Sequence, residues 1–100
     1  MHDVIVQAVT MIERNFTIIN RLGLHARAAA KFVTTASQFD SDIQVSRNGR
    51  TVSGKSIMGM MMLAAAQNTV ITVTADGDDD ADEALQQIEA LINDYFGEGE

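Results

Sequence analysis

The residue types and spacing that could carry chemistry lie in one run, Arg21-Leu22-Gly23-Leu24-His25-Ala26-Arg27-Ala28-Ala29-Ala30-Lys31. A glycine just ahead of His25 breaks the preceding segment, and the alanines behind it favour a helix. The imidazole therefore stands at a helix mouth, where unpaired backbone N–H groups and the positive end of the dipole favour an anion. Histidine is also the side chain whose neutral form is well populated near pH 7, so it can act as a nucleophile without a separate base. Arg27 brings a guanidinium fork suited to phosphate oxygens. A cation in a first helical turn works against the dipole, so its presence asks for a reason. Together these features suit a histidine that accepts a phosphoryl group and hands it on. Standing alone, His25 would read as a capping or surface histidine and Arg27 as a solvated arginine.

Composition narrows the classes further. One hundred residues make one domain with a modest core. With no cysteine and two distant histidines, disulfides and thiol catalysis are ruled out and a dedicated metal site is not expected. No cofactor is implied. The net charge of −7 is unevenly spread: all seven bases lie at or before Lys55 against four acids, leaving +3 there, while the ten acids from Ser56 onward meet no base. Arg21, Arg27, Lys31, Arg47, Arg50 and Lys55 are thus the expected basic neighbourhood of His25. So acidic a chain is a poor prospect for nucleic acid, whereas a small anion or an acidic protein surface suits its basic half. No apolar run is long enough to span a bilayer and no secretory signal is legible, so a soluble cytoplasmic protein is expected.

The elements that must position these residues follow from periodicity. Residues 14–20 read as a strand, and a helix follows from about Ala26 to Ser37, with Ala29, Val33 and Ala36 or Ala30, Val33 and Ser37 on one face. Ile43 and Val45 alternate with polar neighbours as a half-buried strand. Asn48-Gly49 is a strong hairpin signal that returns the chain through Thr51-Val52-Ser53. Ser56 is a plausible N-cap for an apolar helix from Ile57 to Ala66. Val70 to Thr74 is the clearest strand, Gly77 ends it, and a last helix runs from about Ala81 to Phe96. Its stripe would be Ala81, Leu85, Ile88, Leu91, Ile92 and Tyr95. The acidic run Asp78–Glu83 lacks the ligand spacing of a calcium loop and reads as a solvated helix start. The order β-α-β-β-α-β-α gives an α+β sandwich of two layers. Residues 1–10 fit the scheme poorly and read as an extension of unknown role ahead of a domain at 11–100, with Met11 a natural start and His2 a mobile terminal residue.

Two motifs carry a family resemblance. Asn20-Arg21-Leu22-Gly23-Leu24-His25-Ala26-Arg27, followed by Gly54-Lys55-Ser56-Ile57-Met58-Gly59 with its serine 31 residues after the histidine, resembles HPr, the histidine-containing phosphocarriers of the bacterial phosphoenolpyruvate-dependent sugar phosphotransferase system. The resemblance implies an open-faced sandwich in which a four-stranded antiparallel sheet is covered on one face by three helices. It implies that Nδ1 of His25 takes a phosphoryl group from enzyme I and passes it to IIA components of sugar permeases, with Arg27 stabilising that group. The chain would then be a protein substrate and not an enzyme, and a monomer without membrane insertion. Ala28 departs from the pattern, which usually has Pro there; alanine keeps the helix.

Ser56 is in any case a helix cap; the resemblance adds a regulatory phosphorylation by an HPr kinase/phosphorylase. It also places Ile57 and Met58 on a partner-docking surface, while most of the remaining cluster (Met60, Met61, Met62, Leu63) is expected in the core. Met adapts to several partner surfaces because its side chain is flexible and polarizable. Two other functions remain open: a regulatory or nitrogen-branch carrier whose output is control of partner proteins, and a passive anion-binding module using the same helix mouth.

Overall fold

Alternation decides the sheet. In the strand Val70–Asp76, Ile71, Val73 and Ala75 are buried while the residues between them are not, the signature of a sheet with one covered face. The computed structural model describes residues 11–77 and 79–100; residues 1–10, with His2, and Asp78 lie outside them. The elements are β1 (Met11–Thr17), α1 (Ala26–Ala36), β2 (Asp42–Arg47), β3 (Arg50–Ser53), α2 (Ile57–Met62), β4 (Val70–Asp76) and α3 (Ala81–Asn93), closed by a short 3-10 turn at Tyr95–Gly97. The strands form one antiparallel sheet in the order β1-β4-β2-β3. This is the two-layer α+β architecture expected from the element order.

Registers align the apolar positions: Val45 pairs with Val73 on one side and Val52 on the other, and Phe16 pairs with Ile71. On the helical side, Ala28, Ala29, Phe32 and Ala36 of α1, Met60 of α2, and Ala81, Ala84, Leu85, Ile88 and Ile92 of α3 close the core. Each large apolar side chain fully buried there contributes about 1.5–3 kcal/mol relative to leaving it in water. The opposite face is polar, with Thr72 Oγ1 donating to Asn15 Oδ1 at 2.7 Å across β4 and β1. Asn48 and Gly49 both adopt positive φ, at 50° and 78°, as the two-residue turn between β2 and β3 requires.

Several boundaries move. The first strand starts at Met11 and stops at Thr17, because Met11 and Ile12 extend the pairing to Asp76 and Ala75 while Asn20 already begins a turn, accepting from Gly23 N at 3.1 Å. Helix α2 ends at Met62, not at Ala66. Ala64 enters the left-handed region (φ 51°), the carbonyl of Leu63 turns to Arg47, and that of Ala65 turns to Leu24 N. Helix α3 likewise stops at Asn93. Tyr95, expected on its buried stripe, is 38% exposed, and Phe96 occupies the core instead.

The acidic run is not simply solvated. Asp80 precedes α3 but makes no capping bond to that helix. Its carboxylate instead accepts from Asp40 N at 2.7 Å, from Ser41 N at 3.1 Å, and from the Ser41 hydroxyl, while Asp82 pairs with Arg14 at 2.9 Å. The Ser41 hydroxyl, then the Asp40 amide, hold the Asp80 carboxyl below its ordinary 3.8. A carboxylate with a depressed folded-state pKa adds stability above the unfolded value and loses it as pH falls through the folded one. Thermal melts should therefore separate wild type from Asp80→Asn by a constant gap above pH 5. That gap should narrow once pH falls below 3.8.

Candidate functional site

The mouth of α1 is set by the segment that precedes it. Asn20 is fully buried, and its Nδ2 donates to Gly23 O at 2.8 Å, curling residues 20–23 into a tight turn. Gly23 has φ +69°, and a Cβ there would lie 2.5 Å from the carbonyl oxygen of Ala65; only glycine allows so close an approach. That approach lets Leu24 N reach Ala65 O at 2.9 Å. The buried Leu24 side chain then anchors the residue immediately before His25.

His25 is the N-cap of α1. Its backbone is extended (φ −77°, ψ 179°), its carbonyl receives Ala29 N at 2.8 Å, and its Nδ1 accepts from Arg27 N at 3.3 Å. The other ring nitrogen, Nε2, is hydrogen-bonded to Glu98 Oε2. A carboxylate accepts only, so Nε2 carries the proton and Nδ1 presents its lone pair to the helix mouth; the tautomer follows from this pair of bonds. The ring is about one-third exposed, whereas the Glu98 side chain is only 9% exposed. Burial pushes the Glu98 carboxyl up. Hydrogen bonds from Asn20 (3.0 Å) and His25, with the charge of Arg27, outweigh it and hold the group below the ordinary carboxylate range.

Around the ring lies a cleft of about 650 Å³ whose lining includes Arg21, Leu22, His25, Arg27, Glu98 and Glu100. Arg27 is exposed and forms no side-chain bond among the described residues. Arg21 pairs with Glu100 at 2.9 Å and its amide donates to Glu100 O at 3.1 Å. The wider basic neighbourhood expected from the sequence is not assembled here. Lys31 donates to Phe96 O at 2.6 Å, Lys55 to Phe39 O at 2.6 Å, and Arg47 to Leu63 O at 3.0 Å. Glu98 and Glu100 are the residues that sequence reasoning missed, and Asn20 stood in the motif without a role. Gly97 hinted at a helix end, but nothing local says that the tail returns to His25.

Ser56 lies apart from the cleft lining. Its hydroxyl accepts from Gly59 N at 3.0 Å as the N-cap of α2. Ile57 and Met58 are exposed, and Met58, at 73%, is the most exposed large apolar side chain among the described residues. Met60 and Leu63 are core residues as expected. Met61 and Met62 are not; they stand at 43% and 57% exposure, because a helix of six residues turns only one narrow stripe to the sheet.

Among the described residues, no three His, Asp or Glu side chains stand together as a metal site, and no helix is long and apolar enough to cross a membrane.

Residues 12–94 match the family described as the PTS HPr component phosphorylation site. A phosphocarrier protein HPr of Neisseria meningitidis is 58% identical over 90 residues, covering 90% of this chain and all of that protein. One from Cupriavidus necator is 53% identical over the same shares. Among solved structures, HPr from Thermoanaerobacter tengcongensis superposes with a TM-score of 0.83 at 46% identity, covering 87% of this chain and 97% of that one. With the His25 mouth and the open-faced sandwich, these matches establish that the chain belongs to the HPr family of phosphocarrier proteins of the phosphotransferase system.

Proposed function

We propose that His25 accepts a phosphoryl group at Nδ1 from the charged enzyme I and passes it to IIA components of sugar permeases. The observation that carries this reading is the division of labour on the imidazole. Nε2–H is committed to Glu98 while Nδ1 faces the amides of the helix mouth. In the transfer, the Nδ1 lone pair forms the N–P bond as the donor's bond to phosphorus breaks, and no proton need leave the ring. The ring gains positive character, which the ionised Glu98 stabilises through Nε2–H. The Arg27 amide loses its acceptor when Nδ1 becomes bonded to phosphorus and turns to a phosphoryl oxygen; the unpaired guanidinium of Arg27 adds its fork. An N–P bond on a cationic ring is labile, so the group can leave again by the same route.

Docking falls to the exposed face of α2, with Ile57 and Met58, and to the exposed Leu22 of the cleft lining. The carrier acts as a monomer in the cytoplasm, since each partner must reach both the imidazole and that face. Residues 11–100 form the carrier unit and residues 1–10 an extension to it. Ser56 serves as a regulatory phosphorylation site for an HPr kinase/phosphorylase. Phosphate there adds about −1.5 to −2 charge at a helix start, where the dipole tolerates it, so the effect is repulsion at the docking face and not unfolding.

Intact-mass analysis after incubation with phosphoenolpyruvate and enzyme I should find one acid-labile phosphoryl group, absent from His25→Ala. Undiminished labelling of that variant would refute the assignment. Glu98→Gln should slow phosphoryl transfer about tenfold or more, matching about 1.4 kcal/mol or more lost when a charge-assisted bond becomes neutral. Nitrogen-15 NMR should report a weaker preference for Nε2–H in the neutral ring of Glu98→Ala. Ser56→Asp should slow transfer from enzyme I more than Ser56→Ala does. Ser56→Ala should itself cost about 1 kcal/mol in stability as a lost cap, read from denaturant unfolding.

A further inference from the structure

The β2–β3 hairpin and the end of α2 enclose a second pocket of about 280 Å³, lined by Arg47, Asn48, Arg50, Met62, Leu63 and Ala64. Its charge differs from that of the cleft at His25. There, Glu98 and Glu100 stand against two arginines; here no carboxylate lines the walls. Arg47 and Arg50 are cross-strand partners in the hairpin register, and like charges held opposite each other repel unless an anion comes between them.

The two guanidinium groups are differently prepared. Arg47 Nη1 donates to Leu63 O at 3.0 Å, which fixes the plane of the group and leaves its Nε–Nη2 edge unused. Nε on that edge is buried without a hydrogen-bond partner, so the donors of this group left for an anion are those of Nη2. Arg50 is exposed and has no ion pair among the described residues. Asn48, held at φ 50° by the turn, adds an amide at the rim. The exposed guanidinium of Arg50 offers an edge with two parallel N–H groups, which matches a phosphoryl or carboxylate face. The second uncompensated charge favours a dianion over a monoanion, and the volume leaves room beside Met62 for a small carbon skeleton.

We propose that this pocket binds a phosphoryl dianion, held between Nη2 of Arg47 and the free guanidinium of Arg50, with Asn48 beside them. The source is either inorganic phosphate or a small phosphomonoester, and the two share this chemistry. The test titrates the full-length nitrogen-15-labelled protein with inorganic phosphate and, separately, with glycerol 3-phosphate at constant ionic strength. Backbone amides and arginine Nε–H signals are followed by NMR. Saturable shifts are expected at Arg47 Nε–H, Asn48, Arg50 and Ala64, and they should persist in Arg27→Gln. Tighter binding of the ester assigns the pocket to phosphorylated metabolites; equal midpoints assign it to the phosphoryl group alone. Arg47→Gln also frees the Leu63 carbonyl and could disturb the fold, so the exposed Arg50→Gln decides, with affinity falling several-fold. Shifts confined to Ala26 and Arg27, shifts that rise linearly without saturation, or unchanged affinity in Arg50→Gln would overturn the proposal.

Discussion

The helix mouth depends on one bond, between Nε2 of His25 and the carboxylate of Glu98. An imidazole is rigid, and its neutral form carries one proton on two nitrogens, so committing one nitrogen defines the other. With Nε2 held as a donor, Nδ1 is left as the acceptor facing Arg27 N. Without that bond a partly exposed ring could turn about its χ angles and present either nitrogen. The carboxylate is itself held ionised against its burial by Asn20, His25 and Arg27. Asn20 thus serves both ends of the arrangement, curling the loop through Gly23 and steadying Glu98.

Bringing Glu98 back to the mouth of α1 demands an unfavourable backbone. Tyr95, Phe96 and Gly97 all adopt positive φ, at 58°, 53° and 76°. Two of them carry side chains, and each non-glycine residue in that region costs about 1–2 kcal/mol. The burial of Phe96, with no exposed surface, offsets much of this cost, and the Lys31 ammonium on the Phe96 carbonyl fixes the turn. Strain of this kind persists where the surroundings over-determine it, commonly beside functional groups.

Charge shows how far tertiary structure redistributes what composition suggests. Six cations of the basic half were the expected neighbourhood of His25, yet of these only Arg21 and Arg27 line the cleft. Lys31, Lys55 and Arg47 serve carbonyls that helix ends and loops would otherwise leave unpaired. The acidic half is likewise put to use: Asp80 ties the start of α3 to the loop before β2.

Much of the fold was legible because period and punctuation are local. The alternation of Ile71, Val73 and Ala75, the Asn48-Gly49 turn and the Ser56 cap each rest on contacts within a few residues. The nucleophile was legible for the same reason, since a helix mouth, a glycine and a nearby arginine are neighbours in sequence. The ends of α2 and α3 were not, because they are decided by Arg47, Leu24 and the core's demand for Phe96 in place of Tyr95. By itself the sequence determined the element order, the position of His25 and the placement of its amides. Only the tertiary structure brought Glu98 across 73 residues to Nε2, because pairing of groups so far apart is set by packing and chain reversal, which leave no local pattern.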